Sequence, residues 1–238
     1  MVEAAVLLAL LMPLLAFLIL RATLDASFRT FVLGMLMCFV FEKVLRGIWH
    51  LPIDSWLHHR FGDDAPEQVP WAMVSAVITT ALCIAGRMNA SRVLLKDTTT
   101  LTAATFGAGW GALSVFGSVG VWVGASLVVS LLRNTEALRE QWTTTFARLT
   151  PPVLTLLLVE LPFSLLADVA LSLLVLQWAR GRGRQWLMAT FLASSAVAAT
   201  IGALDKMHYL IEGRILGIAG ASVLFIWAFI AARRSSAT

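Results

Sequence analysis

Five ionisable side chains lie inside otherwise apolar stretches of this sequence and are the first candidates for chemistry. Glu42, Lys43 and Arg46 stand near the end of one such stretch, in the segment FEKVLR. Glu160 and Asp168 lie within a later stretch. A charged side chain that faces lipid costs several kcal/mol, so each of these residues is a functional hypothesis and needs a partner inside the protein.

The spacing of these charges predicts that they meet. Glu42 and Arg46 are one helical turn apart with the acid first, which is the favourable order on one helix face. Glu160 and Asp168 are a little over two turns apart, so they also share a face. We therefore predict a buried charge network of Glu42, Arg46, Glu160 and Asp168. One role for this network is structural, in that its opposite charges hold helices together. The alternative is that it forms a functional site.

The composition identifies an integral membrane protein. The chain has 59% hydrophobic and 13% charged residues, whereas a soluble domain carries about 25% charged residues. Its nine Trp residues suit the two membrane interfaces. The excess of basic residues is then expected to mark cytoplasmic loops, so we expect a lipid bilayer and no nucleic acid around the protein. Cys38 and Cys83 fall in apolar stretches and are predicted to be buried thiols.

Seven stretches are apolar for long enough to cross a membrane as a helix. The predicted fold class is therefore all-α: one polytopic integral membrane domain over residues 1–238, with seven transmembrane helices. The fourth stretch has 32 residues, which exceeds the hydrocarbon core at about 1.5 Å per residue, so it must tilt, kink or leave the membrane. The predicted spans are 2–20, 31–49, 70–86, 101–132, 152–178, 185–204 and 215–232.

Basic residues are divided unevenly between the loops on the two sides. Ten follow odd-numbered spans, Arg87 among them, and six follow even-numbered spans, Arg214 among them. The positive-inside rule then places the N-terminus outside and the C-terminus in the cytoplasm, and we expect the membrane to be the cell (inner) membrane. Residues 50–69 are expected to form an irregular outer loop with a short interfacial helix over 53–61, and 134–149 a second surface helix.

Histidines and aspartates are concentrated in the predicted outer loop. Side chains of these types could bind a metal ion if the loop brought three or more of them together. A solvated loop without metal is the interpretation that we favour. The residues are His50, His58, His59, Asp54, Asp63 and Asp64.

The segment FEKVLR resembles the E-E-x-x-R motif of the YhfC family. Those proteins are polytopic intramembrane proteases related to the CAAX-processing and bacteriocin-processing endopeptidases and, more distantly, to the gamma-secretase scaffold subunit. FGAGWGALSV resembles the family's F-G-x-G-H-G-x-x-E run, and ELPFSLLADVALSLLVL resembles its acid followed eight residues later by His. WLMATFLASSAVAA stands where the family has another His-bearing helix. The resemblance covers about residues 30–205 and implies the family's fold.

The resemblance also implies an active site that this chain has largely lost. An activated water needs a general base with a partner in hydrogen-bond reach, and a metal site needs three or more ligands. We therefore predict no peptidase activity, no metal and no cofactor at these positions. Glu42 and Arg46 match the family motif, whereas Lys43 and Ser114 replace glutamates and Trp110, Asp168 and either Ser194 or Ser195 replace histidines.

Two G-x-x-x-G pairs in the fourth stretch predict close helix packing. The first pair is Gly107 and Gly111, and the second is Gly120 and Gly124. We expect Trp110, which lies within the first pair, to fill the space where a substrate backbone would enter, leaving a packed interior. The second pair is expected either to form an interface with a partner protein or to pack inside the bundle.

Three functions follow as hypotheses. The first, which the sequence favours, is a non-catalytic pseudoprotease that acts as a scaffold subunit in a larger membrane complex. The second is an active intramembrane glutamic or metalloprotease that uses Glu42. The third is a small-molecule transporter, for which the long stretch 101–132 would supply a broken helix.

Overall fold

The computed structural model describes most of the chain, and the described residues contain helices and no strand. This confirms the all-α fold class that the sequence predicts. The described residues are 11, 14–23, 25–61, 68–94, 99–117, 151–179, 184–207 and 209–236.

The helices of the described residues include two π-helices, each continuous with an α-helix. A π-helix has a wider turn than an α-helix and is rare outside functional sites. In chain order the helices are α1 (Leu14–Thr23), α2 (Phe28–Cys38), π1 (Phe39–Leu45), α3 (Arg46–Phe61), α4 (Gln68–Asn89), π2 (Ala90–Leu94), α5 (Thr100–Val115), α6 (Pro151–Ala179), α7 (Arg184–Lys206) and α8 (Leu210–Ser236).

Four of the described helices are long and apolar enough to cross a membrane. They correspond to the predicted spans over 70–86, 152–178, 185–204 and 215–232, which supports an integral membrane protein. The candidate spans are Gln68–Arg92, Leu158–Leu176, Leu187–Lys206 and Leu210–Ala231.

The other three predicted spans are not confirmed as membrane-crossing helices. The first corresponds in part to α1, which is apolar but shorter than a span. The second, over 31–49, belongs to the helical path formed by α2, π1 and α3, and the fourth is described only as far as residue 117. Outside the described residues lie Gly120, Gly124, Asp63, Asp64 and the surface helix predicted over 134–149.

The predicted irregular loop over 50–69 is wrong for its first twelve residues, because α3 continues to Phe61. Pro52 lies inside this helix, although proline removes one backbone hydrogen bond there. Trp49, just before the proline, packs its ring edge-on against Trp71 of α4, with centroids 5.7 Å apart. This contact attaches α3 to α4 and helps to offset the lost hydrogen bond. The helix predicted over 53–61 is therefore the end of a longer helix.

Helix α5 lies between α2 and α6 and is the most buried helix of those described. Glycines allow its backbone to approach both neighbours. A Cβ added to Gly109 would collide with the carbonyl group of Phe31 in α2, and one added to Gly107 would lie 2.7 Å from Cα of Val169 in α6. Gly111 faces α6 as well. The first G-x-x-x-G pair thus packs inside the protein, against α6.

The remaining helices pack in pairs around this centre. Helix α6 also contacts α8, and α4 contacts α7. A Cβ added to Gly202 of α7 would lie 3.3 Å from the carbonyl oxygen of Ala72 in α4, so these two helices also approach closely. The arrangement leaves space between α4, α6, α7 and α8, next to π1.

Candidate functional site

Glu42 is presented to the interior by π1 and is 9% exposed. The wide turn of a π-helix changes which residues of consecutive turns face the same direction. Glu42 and the adjacent Lys43 meet, with Lys43 Nζ donating to Glu42 Oε1 at 2.7 Å. A charge-assisted pair of this length is among the stronger hydrogen bonds in proteins.

Both oxygens of the Glu42 carboxylate accept further hydrogen bonds. Ser114 Oγ donates to Oε1 at 2.9 Å, and Trp110 Nε1 donates to Oε2 at 3.2 Å. Cys38 Sγ donates to Oε2 at 3.4 Å. A carboxylate offers about four lone-pair positions, so the four donors occupy them all.

A second charged cluster lies beside the first and is centred on Arg87, which is 1% exposed. Its guanidinium donates to Asp168 Oδ1, to Ser172 Oγ at 3.1 Å and to the carbonyl oxygen of Cys83 at 3.1 Å. It also lies over the ring of Trp110, 4.1 Å from the centroid, a cation–π contact. The sequence-based assignment of Arg87 to a loop is therefore wrong, because α4 continues past it.

A third acid, Glu160, is partly buried and pairs with a base from another helix. Arg214 of α8 donates to Glu160 Oε2 at 2.9 Å. Arg214 had also been assigned to a loop from the sequence, whereas it lies within the candidate span Leu210–Ala231. Glu42, Asp168 and Glu160 thus each have their own basic partner.

The predicted network joined Glu42 and Arg46 to Glu160 and Asp168, but the observed partners are different. No ion pair among the described residues includes Arg46. Glu42 and Arg46 line different cavities, and helical spacing does not predict which bases the neighbouring helices supply. Arg46 instead lines a second cavity, the mixed-charge cavity, which lies between α3, α4 and α7.

A cavity of about 620 Å³, here called the inner cavity, lies between π1, α4, α5, α6, α7 and α8. Glu42, Ser114, Asp168 and Ser194 all line it, so four of the positions nominated by the sequence resemblance converge on one space. Ser194 donates to the carbonyl oxygen of Thr190 at 2.6 Å. Ser195, the other candidate at that position, is buried and does not line the cavity.

The prediction that Trp110 fills the interior is wrong, because the inner cavity remains open. The Trp110 ring is fully buried beside the cavity, under Arg87. It reaches Gly86 of α4, where an added Cβ would lie 2.7 Å from Trp110 Cη2. The space remains open because small residues line its far wall, among them Ala167, Ala193, Ala198, Gly217 and Gly220.

The residues around Glu42 do not fit a metal ion. In the described part of the chain no group of three His, Cys, Asp or Glu side chains could hold one. The Lys43 ammonium occupies Glu42 Oε1, and the Arg87 guanidinium occupies Asp168 Oδ1. The Trp110 N–H is a donor only. A metal ion needs free lone pairs at these positions. Two cationic side chains and an indole N–H occupy them instead.

Arg87 and Cys38 are the main residues of this site that sequence reasoning missed. Arg87 follows directly on the predicted span over 70–86, and the weakly polar residues after it were a signal that the helix continues. Cys38 is one turn before Glu42, on the same helix face, which was the signal for their contact.

Of three comparisons with known proteins, the comparison with family models gives a match. Comparison with curated proteins finds no match, and comparison with solved structures finds none either. The family model described as YhfC intramembrane metalloprotease matches residues 8–212. The matched segment contains Glu42, Ser114 and Asp168, which line the inner cavity, and Trp110, which is buried beside it. The chain therefore belongs to the YhfC intramembrane metalloprotease family.

Proposed function

We propose that this chain is a non-catalytic member of its family that has kept the intramembrane cavity as a binding site. The observation that carries the proposal is the saturated carboxylate of Glu42, which accepts hydrogen bonds from four donors of the protein itself. A general base must be within hydrogen-bond reach of the water that it activates. A carboxylate whose lone pairs are all occupied has no position left for that water.

Asp168, the other acid near Glu42, does not replace the missing chemistry. Its Oδ1 is bound by Arg87, which is held in turn by Ser172 and by the backbone of α4. Breaking such a pair would leave a buried guanidinium without its counter-charge, at a cost of about 3–5 kcal/mol. Asp168 therefore acts as the counter-ion of Arg87.

The inner cavity suits an apolar ligand that carries few polar groups. Its volume of about 620 Å³ lies in the range of ligand pockets, about 300–1,000 Å³. Leu171, Val197, Ile201 and Leu216 contribute apolar surface to its wall. We propose that it receives an apolar segment of a partner membrane protein, so that the chain acts as a scaffold subunit in a membrane complex.

The absence of catalysis is tested with Glu42→Gln, which keeps the shape of the side chain and removes its charge. Membrane proteins that co-purify with the wild type in mild detergent are followed for cleavage in both variants. We expect the same fragments and the same amounts with and without the Glu42 carboxylate. Cleavage that disappears in Glu42→Gln would refute the proposal and identify a protease.

The binding role is tested by filling the cavity. Ala193 lines it, whereas the neighbouring Leu192 is 61% exposed on the outer face of α7. We expect Ala193→Phe to lose the co-purifying partner and Leu192→Phe to retain it. Retention of the partner by both variants would exclude the inner cavity as its binding site.

A further inference from the structure

The inner cavity is lined by acidic side chains and by none of the basic residues in the described part of the chain. Glu42, Asp168 and Glu160 line it, and each is paired with a base that lies outside the cavity wall. A ligand in this space therefore meets carboxylate oxygens and no cationic side chain.

Two of these carboxylates each have one oxygen without a hydrogen-bond partner. Arg87 donates to Asp168 Oδ1 and Arg214 donates to Glu160 Oε2, and among the described residues no donor reaches Asp168 Oδ2 or Glu160 Oε1. The two acidic side chains are 17% and 16% exposed, and neither free oxygen is fully buried. An ionised carboxylate, the form that pairs with arginine, accepts hydrogen bonds and donates none.

Most hydroxyl groups of the cavity wall direct their hydrogen atoms into the protein. Ser114 donates to Glu42. Ser194 and Thr80 each donate to a backbone carbonyl oxygen one turn earlier in their own helix. Ser164, which lines the cavity between the two free carboxylate oxygens, can donate or accept. The wall is thus rich in acceptors, and a polar group of the ligand has to be a donor.

The cavity opens between α7 and α8, at a level inside the membrane. The two helices touch where a Cβ added to Gly220 would lie 2.9 Å from Val197 Cγ1. Past this contact, Ala193 of α7 and Val223 of α8 line the cavity and are also exposed on the outside of the protein. Both residues belong to candidate membrane spans. A segment that is already embedded in the bilayer can therefore reach the cavity from the side.

We propose that the partner segment in the inner cavity carries one uncharged hydrogen-bond donor, which donates to Asp168 Oδ2; this inference rests on the binding role proposed above. Each acid already has a basic partner, so an added cation would leave a net charge inside the membrane, which is costly. An anion would face the two free carboxylate oxygens. Asp168 lies near the middle of the candidate span Leu158–Leu176, so the donor belongs near the middle of the partner segment.

The probes are synthetic membrane-spanning peptides of leucine and alanine that differ at one central residue. Tryptophan supplies an N–H donor on an apolar ring, naphthylalanine has nearly the same shape without the N–H, lysine supplies a cation, and glutamate supplies an anion. Resonance energy transfer from labelled peptide to labelled full-length protein in lipid vesicles measures binding.

We expect the tryptophan peptide to bind wild type about tenfold more tightly than the naphthylalanine peptide, as one hydrogen bond to a charged group would give. The lysine and glutamate peptides should bind more weakly than the tryptophan peptide. Equal binding of the tryptophan and naphthylalanine peptides, or tightest binding of a charged peptide, would overturn the proposal.

Two variants assign this preference to Asp168. In Asp168→Asn the guanidinium of Arg87 would hold the amide oxygen, so the amide N–H₂ would face the cavity and the advantage of the tryptophan peptide should fall to within about twofold. Arg87→Met combined with Asp168→Leu removes the acceptor without leaving a buried charge and should have the same effect. Glu212→Gln, at an exposed position of α8, should leave the advantage unchanged. A tenfold advantage that survives in the double variant would refute the proposal.

Ala193→Phe separates this inference from the binding role on which it rests. Filling the cavity should abolish binding of the tryptophan and naphthylalanine peptides alike. If it does so while both peptides bind wild type equally, the cavity is a binding site and only the donor requirement is wrong. Binding of both peptides that persists in Ala193→Phe would contradict the binding role itself, and the donor requirement with it.

Discussion

Trp110 is the residue that connects the two charged clusters beside the inner cavity. Its N–H donates to Glu42, and its ring face carries the guanidinium of Arg87. A histidine at this position could offer a lone pair to a metal, whereas an indole cannot. The indole of Trp110 therefore supports two ion pairs, Glu42–Lys43 and Arg87–Asp168.

The Arg87–Asp168 pair makes a prediction for stability. We expect Arg87→Met alone to lower the free energy of unfolding by about 3–5 kcal/mol, because it leaves Asp168 buried without a counter-charge. Arg87→Met combined with Asp168→Leu should cost clearly less, since neither charge remains. Thermal unfolding in detergent measures both, with Arg29→Met at an exposed position as the control. A double variant less stable than the single one would contradict this account.

His50 makes a prediction for pH dependence. Burial, and next the positive charge of Arg46, lower the pKa of His50 from its ordinary 6.5, with Lys206 acting in the same direction and Asp54 against it. The unfolded chain therefore binds a proton at His50 more readily than the folded protein does, and folding stability falls as the pH drops below about 6.5.

The measurement is the unfolding temperature of wild type and His50→Gln between pH 8 and pH 5. We expect the variant to lose less stability than wild type over this range, because it has no group to protonate at residue 50. Parallel curves for the two proteins would show that another group causes the dependence.

At the level of helices, glycine contacts decide how closely α5 approaches its neighbours. We expect Gly107→Ala to cost about 1–3 kcal/mol, because the new Cβ would lie 2.7 Å from the Cα of Val169 and backbone would have to move. Gly47→Ala is the matched control, since its Cβ would lie 3.9 Å from Leu51 Cδ1. The control should be neutral or stabilising, as alanine favours a helix by up to about 1 kcal/mol. Unfolding temperatures that shift equally would contradict the packing argument.

The sequence predicts helices well where an apolar stretch is uninterrupted, as in α4, α6, α7 and α8. It fails at polar residues that tertiary contacts keep inside a helix. Residues 50–61 contain Pro52 and several polar side chains and so indicated a loop, but the contact of Trp49 with Trp71 lies between two elements and is invisible in local patterning.

The candidate site was likewise predicted only in part from the sequence. The family resemblance implied that Glu42, Ser114 and Asp168 belong to one site, and in the structure they line one cavity. The basic partners Arg87 and Arg214 were missed because a charged residue at the end of an apolar stretch is counted as loop. The inner cavity could not be predicted either, since an unfilled volume depends on how the small residues of several helices face one another.

For the whole molecule, the corrected helix boundaries leave the charge asymmetry of the loops intact. Arg87, Arg92, Lys206 and Arg214 lie within candidate spans, so eight basic residues remain on one side and four on the other, from ten and six. We therefore propose that the C-terminus lies in the cytoplasm. A reporter enzyme that is active only outside the cell should be silent when fused after residue 238 and active when fused within residues 62–67. The opposite pattern would reverse the orientation.

Arg87 is synthesised 81 residues before Asp168, the acid that neutralises it. At about 5–20 residues per second, the ribosome needs roughly 4–16 s to cover that distance. During this interval α4 has to enter the bilayer with an unpaired guanidinium. Arg87 lies near the end of the candidate span Gln68–Arg92. Its long side chain can reach the head groups there until Asp168 is inserted. The arrival of α6 then supplies the counter-charge, so Arg87 is neutralised before α7 and α8, which follow in the chain, join the bundle.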